Sequence, residues 1–306
     1  MSEFNLQGFD LFGEPIKPKN QGPIAEKFTF PPFSILDARQ GEWQERKRQW
    51  TSIGIKSEVG RDASVIHCPT ANNDEGLTDA NYTSIFDPVL CELAYRWFSP
   101  KDGQIVDPFA GGSVRGIIAG ALGRKYWGCD LRQEQIDANI EQKQELFPNA
   151  NIEWVCGDSN VMLNQAPEAD LIFSCPPYGD LEVYSDHPAD ISNMKYDEFK
   201  KAYRSIIYQS VKRLKNNRFA CFVVGDFRNK KGFYNNFVSD TIDAFNSAGA
   251  FLYNEAILVT SVGSASMRVS KQFVSGRKFA KTHQNVLVFC KGDWKEASTV
   301  CEHGFI

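Results

Sequence analysis

No two of the chain's eight cysteines form a C-x-x-C pair; they stand apart at 68, 91, 129, 156, 175, 221, 290 and 301. That spacing argues against a zinc ribbon or a dithiol redox motif, and no bound metal is expected. Cys221 in FACFVVGD and Cys290 in NVLVFCK lie inside apolar runs, where a reduced cysteine is a small core residue. Such usage points to a reducing cytoplasm. No apolar run approaches the roughly 20 residues that a membrane helix needs. The opening MSEFNLQGFDLFGEP lacks the basic and apolar regions of a signal peptide. An overall basic charge is missing too: the net charge is −4, so only local patches are candidates for binding nucleic acid. There is no internal repeat and no long low-complexity tract. What is present is an ordinary globular balance, 42% hydrophobic and 24% charged over 306 residues. That is enough for a core without disulfides or metals.

Residues 1 to about 40, rich in Pro, Gly, Phe and Lys, are expected to form an irregular arm. GEWQERKRQWTSIGIKSEVGRD (41–62) predicts a short helix with Arg46, Lys47 and Arg48 between Trp43 and Trp50, and 68–84 predicts a polar loop. A helix follows Asp87, with Pro88 at its first position. From 104 onward strands and helices alternate. QIVDPF, KYWGCDL, IEWVCGDS, DLIFSC and RFACFVVGDF are strands one to five; LYNEAILVT and QNVLVFCKG close the series without a helix between them. The alternation predicts a mostly parallel seven-stranded α/β sheet with helices on both faces and an antiparallel edge hairpin around a 261–283 loop. The expected organisation is an arm with a basic helix at 1–82, a catalytic domain at 83–294 and a tail at 295–306.

Four stretches carry chemistry. VDPFAGGSVRG (106–116) ends a strand at Asp107 and turns into a helix; Gly111 and Gly112 allow close approach of backbone to a ligand, or simply make a tight turn. The pattern is not G-x-G-x-x-G, so the turn alone is a weak signal. Asp130, ending strand two about 20 residues on, suits the two hydrogen bonds of a ribose diol, or a helix N-cap. Asp158 and Ser159, after strand three, lie where an adenine edge would sit, and Asp158 also reads as an N-cap. In DLIFSCPPYGD (170–180), Pro176 and Pro177 end a strand and stiffen the turn that carries Cys175 and Tyr178.

Together, DPFAGGS, GCDL, GDS and CPPY in this order resemble the S-adenosylmethionine-dependent amino-methyltransferases of DNA, over residues 83–292. The resemblance implies a Rossmann-like class I methyltransferase fold. It implies a cofactor site at Phe86, Asp107, Pro108, Phe109, Gly111, Gly112, Ser113, Asp130, Leu131, Asp158 and Ser159, with Phe86 and Pro88 in the segment that packs over the methionine moiety. Catalysis would fall to Cys175, Pro176, Pro177 and Tyr178: a base flipped from double-stranded DNA stacks on Tyr178, and its amine attacks the sulfonium methyl in line. The compact form further resembles modification enzymes of phage and restriction systems, working as a monomer or homodimer.

One position departs from the family. The residue before PPY is usually Asp, Asn or Ser; here it is Cys175, a weak acceptor. Ser174, a backbone carbonyl, Asp180 or Glu182 are alternative acceptors. Alternatively, Cys175 is a nucleophile that adds to a pyrimidine, giving a carbon-5 methyltransferase, or simply fills the strand end. Recognition would come from the N-terminal arm or from inserts at 179–196, 228–237 and 261–283. The last holds Arg268, Lys271, Arg277, Lys278 and Lys281 with no acid, either a phosphate clamp or a solvated loop. Rival classes are an RNA base methyltransferase, a non-catalytic cofactor-fold protein and, least in keeping with the glycine pattern, a nicotinamide dehydrogenase.

Overall fold

The computed structural model describes residues 23–56, 86–178, 189–263 and 265–301. The polar loop at 68–84, Asp180, Glu182 and most of the 179–196 insert lie outside these residues. Among the described residues an eight-stranded sheet runs in the order β1-β7-β8-β6-β5-β2-β3-β4. Its strands are β1 (Ile35–Asp37), β2 (Gln104–Asp107), β3 (Lys125–Asp130), β4 (Ile152–Cys156), β5 (Ala169–Ser174), β6 (Leu214–Val224), β7 (Phe251–Val259) and β8 (His283–Lys291). All neighbours are parallel except β8, which is antiparallel to both β6 and β7. The mostly parallel α/β sheet expected from the alternation, and the Rossmann-like methyltransferase fold implied by the resemblance, are therefore present, with two corrections. The final antiparallel strand is not at the edge but wedged between β6 and β7. An eighth strand, β1, comes from the segment expected to be irregular and pairs in parallel with the end of β7.

Helices cover both faces because the parallel strands are apolar on both sides. One face carries α2 (Gly41–Ser52), α3 (Pro88–Phe98), α4 (Val114–Ala121) and α5 (Gln133–Leu146); the other carries α6 (Ser159–Met162), α7 (Tyr196–Arg213) and α8 (Phe237–Ser247). Short helices α1 (Pro23–Phe28) and α10 (Trp294–Thr299) flank the sheet, and α9 (Ala265–Gly276) lies between β7 and β8. That last helix replaces the loop expected there. The start of α3 follows the local chemistry: Pro88 occupies the first turn, and Asp87 accepts the amides of Val89 (2.9 Å) and Leu90 (3.3 Å). Helix α4 sits close on β4 because Gly116 has no Cβ; one built there would lie 2.4 Å from the Trp154 ring.

The basic residues of α2 are committed internally. Arg46 forms a two-point pair with Glu92 of α3, at 2.9 and 2.5 Å, and Trp50 Nε1 donates to the same carboxylate at 2.7 Å. Arg96 adds a third donor group at 3.0 Å. Glu92 is fully buried. Burial opposes its charge, but the donors led by Arg46 outweigh it and its pKa is lowered. Lys47 pairs with Asp87, and Arg48 with Glu45. These cations lock α2 to α3 and to itself.

Candidate active site

The carboxyl ends of β2, β3, β5 and β6 form one edge of the sheet, and the first amino-terminal residues of β8 join them there. Asp107 ends β2 and is fully buried. Its Oδ2 accepts Arg115 Nε at 2.5 Å and the Tyr126 hydroxyl at 2.8 Å. Its Oδ1 accepts the Ser174 hydroxyl at 2.6 Å and the Phe109 amide at 3.1 Å. A carboxylate offers about four acceptor positions, so protein donors fill Asp107. It anchors the turn from behind, without a free lone pair for a ligand.

Arg115 is the residue that sequence reasoning missed. From the first turn of α4 its guanidinium reaches back to Asp107 and to the carbonyls of Phe109 and Ala110, the latter at 2.8 Å. The Phe86 ring lies over it at 4.8 Å, and Phe86 also packs edge-on against Phe173 of β5. Burial opposes the charge on Arg115; the Asp107 carboxylate more than offsets this, and its pKa is raised. The sign of it was there to see, as the one charge in the otherwise apolar GSVRGIIAGALG.

The glycine turn is held from the side by β3 and α5. Gly111 has φ of +51°, a left-handed conformation that favours glycine. Its amide donates to Asp130 Oδ2 at 3.0 Å, and its carbonyl accepts Asn139 Nδ2 at 2.8 Å. Asp130 Oδ1 accepts the Arg132 amide at 3.0 Å. Asp130 is not the cap of α5, which begins after Arg132. Among the described residues each of its oxygens accepts one hydrogen bond and keeps a further acceptor position; the Arg132 guanidinium lies 4.0 Å from Oδ1, and the Asp130 side chain is 18% exposed. Burial pushes its pKa up, against the Arg132 and Gly111 amides. Gly112 and Leu131 are half-buried beside it, while Ser113 is buried and donates to Gln142 at 3.1 Å.

Asp158 caps α6 through Oδ1, which accepts the Asn160 backbone amide at 2.9 Å and its side-chain amide at 3.3 Å. The Ser159 hydroxyl donates to the Pro108 carbonyl at 2.5 Å, so it ties two turns together.

The CPPY turn follows β5. Ser174 is fully buried and its proton goes to Asp107; as an acceptor at the edge surface it is ruled out. Cys175 and Pro177 are half-buried and Pro176 is buried. Cys175 is not in a disulfide and lies within electrostatic reach of Arg115 and Tyr203. The Tyr178 hydroxyl accepts Gln284 Nε2 of β8 at 2.6 Å, and its ring meets the Phe237 ring edge-on at 6.2 Å. Phe237 contacts Tyr203 at 5.1 Å, and Tyr203 contacts Phe109 at 6.0 Å. A row of rings on one side and the Ser174–Asp107 hydrogen bond on the other thus join the DPF and CPPY turns. Gln284 was not foreseen: a glutamine at a strand start has no sequence signature.

The basic residues divide. Lys271 and Arg277 are exposed on and just after α9, and the Arg268 side chain lies outside what is described. Lys278 sits beside Gly232, its Nζ 2.9 Å from where a Cβ there would be. Lys281 turns inward. Its Nζ is 3.4 Å from the Asp226 carbonyl and 3.4 Å from a Cβ built on Gly225, which itself would lie 3.9 Å from the Tyr178 ring. Burial lowers the Lys281 pKa, partly opposed by Asp226. Among the described residues no group of three or more His, Cys, Asp or Glu is arranged to hold a metal, and no helix is long and apolar enough to cross a membrane. A separate apolar cleft of about 240 Å³ lies between α3, residues 32–36 and the β6–β8 region, away from the motif turns.

No family model matches the chain. A stretch of 78 residues, 26% of this chain, is 33% identical to the type II methyltransferase M.HinfI of Haemophilus influenzae and spans 21% of that enzyme. Among solved structures, TrmN from Thermus thermophilus is similar with a TM-score of 0.45 and 14% identity, over 67% of this chain and 48% of that one. A precorrin-6y C5,15-methyltransferase from Geobacter metallireducens gives a TM-score of 0.44 and 12% identity, over 72% of this chain and 94% of its own.

The edge offers what a nucleoside cofactor asks for. The Gly111 turn exposes backbone without a side chain, and Asp130 and Asp158 are partly exposed carboxylates at the end of β3 and just beyond the end of β4. The donor set fits S-adenosylmethionine.

Proposed function

We propose that this protein methylates the exocyclic amine of a base flipped out of double-stranded DNA, N4 of cytosine or N6 of adenine, with S-adenosylmethionine as donor. The observation that carries the reading is the direct link between the two motif turns, Ser174 to Asp107 at 2.6 Å. It keeps a cofactor-sized turn and a proline-stiffened aromatic turn at fixed separation, and such positioning is most of what in-line methyl transfer requires. The likeness to a type II methyltransferase supports the reaction.

The bound cofactor supplies an electrophilic methyl group on a sulfonium. Asp130 accepts the ribose hydroxyls, Asp158 Oδ2 the adenine amine, and the Gly111–Gly112 backbone lets the cofactor lie close. Phe86 and Phe109 bound its apolar sides. Asp107 and Arg115 hold the turn in shape without touching the reacting atoms. Tyr178, its hydroxyl pinned by Gln284, gives the target base a flat surface. Pro176 and Pro177 keep the main-chain carbonyls of the turn aimed at the base amine, which would form its bond to the methyl carbon as the sulfur–carbon bond breaks, the sulfur leaving as a neutral thioether and the amine proton passing to water. Lys271, Arg277, Lys278 and Lys281, together with Arg268, supply phosphate contacts.

The test is mass spectrometry of nucleosides from DNA incubated with enzyme and labelled cofactor, with structured RNA as competitor. Label on N4-methylcytosine or N6-methyladenine is the expected result. Label confined to 5-methylcytosine would overturn amino methylation and make Cys175 the nucleophile. Transfer to RNA alone would move the substrate class.

A further inference from the structure

Phe279 is 78% exposed and lies on the six-residue return from α9 to β8. Arg277, with φ of +50°, ends α9 by donating its amide to the Phe273 carbonyl at 2.8 Å, and turns the chain back toward the sheet. The only ring that Phe279 meets among the described residues is that of Phe273, tilted at 5.8 Å and itself 39% exposed. A large apolar side chain in this state has surface to give to a partner.

The surroundings say which partner. From residue 256 to residue 292 the chain has no Asp or Glu, while Arg268, Lys271, Arg277, Lys278, Lys281 and Lys291 fall within it. The return runs alongside the 228–236 turn, where Lys278 meets Gly232 and the Arg228 guanidinium covers the Tyr234 ring at 4.0 Å. Cations around exposed flat rings complement a polyanion with stacked bases. The position says which part of it. Only Ala280 separates Phe279 from Lys281, at most about 7 Å of extended chain, and the Lys281 ammonium borders Gly225, which borders the Tyr178 ring. Phe279 therefore stands at the rim of the surface assigned to the extruded base.

We propose that Phe279 is a wedge: it enters the duplex where the target base has left and stacks in the vacated step. An apolar side chain between base steps holds a duplex open in this way. The inference rests on the DNA reading above and adds the element that makes a paired strand accessible. Val274 and Met267 are comparably exposed, but they lie within α9, further along the chain from Lys281, and neither is a flat ring.

The experiment measures transfer of labelled methyl groups into unmodified foreign genomic DNA, native and heat-denatured. Phe279→Ala removes an exposed side chain, so the fold should persist; unfolding midpoints check this. Transfer to native DNA is expected to fall about tenfold or more, equivalent to about 1.4 kcal/mol, with transfer to denatured DNA within twofold of wild type. Phe279→Trp, which keeps a flat ring, should retain activity on native DNA within about threefold. Unchanged transfer to native DNA, or an equal fall on both substrates, would overturn the wedge and leave the DNA reading standing. No transfer to either substrate by the wild-type chain would overturn the DNA reading and the wedge with it.

Discussion

Breaking the Asp107–Arg115 pair tests the core of the site most directly. The two side chains are 0% and 7% exposed and meet at 2.5 Å. Arg115→Gln leaves the Asp107 carboxylate with its Tyr126, Ser174 and Phe109 donors but without a countercharge. Removing one partner of a buried pair costs about 3–5 kcal/mol. The carbonyls of Phe109 and Ala110 lose donors as well, so the upper half of that range is expected. Asp107→Asn strands the guanidinium in turn and should cost a similar amount. In the double variant no uncompensated charge remains, and its loss should fall short of the sum of the singles by about 2–3 kcal/mol, near the top of measured couplings. Urea midpoints of the four proteins give the cycle; calorimetric titration with S-adenosylmethionine gives the functional arm. Each single variant should bind the cofactor at least about tenfold more weakly, because the Gly111 turn depends on the anchor. Singles within about 1 kcal/mol of wild type, or strict additivity in the double, would refute the anchoring role.

Other outcomes follow from the same geometry. Tyr178→Ala should cut turnover more than about tenfold while cofactor affinity stays within twofold; equal loss of both would remove Tyr178 from the substrate side. Asp130 must be ionised to accept a diol, and burial raises its pKa. Cofactor affinity should therefore be full at neutral pH and decline on acidification at a pH above the 3.8 of an ordinary aspartate. Asp130→Asn should bind weakly with a flat profile, and a wild-type profile flat down to pH 4 would count against the assignment. Glu92 has a lowered pKa, so its stabilising effect is fully present above the unfolded value of 4.5 and is lost as pH falls through the lower folded value. The urea-midpoint gap between wild type and Glu92→Gln should be wide at pH 7 and close as the pH drops well below 4.5; a gap independent of pH would argue against ionised Glu92 as the lock between α2 and α3.

The strands that carry the motifs were legible because each is a short apolar run closed by a turn signal: QIVD by Pro108, DLIFS by the two prolines. Asp87 and Pro88 announced α3 by cap chemistry. Strand β1 escaped notice because three residues after a proline pair carry no period. Helix α9 was masked by its three serines and terminal glycine, although Ala265, Val269 and Phe273 repeat at the spacing of one helix face. That β8 inserts between β6 and β7 could not be read locally, because adjacency along the chain does not say which side a returning strand takes. Asp107 and Asp130 looked alike in the sequence, two acids at strand ends. Only burial and the donors around them separate a saturated anchor from a carboxylate with acceptor positions to spare.

Strand β1 has a consequence for the order of assembly. Ile35 pairs with Ile257, so its partner leaves the ribosome about 220 residues later. At about 5–20 residues per second, the segment waits on the order of 10–45 s for a place in the sheet. The strand made first among the eight is thus seated among the last, over the very stretch of β7 from which the chain departs toward α9. That seam can close only once the chain has been made through Val259.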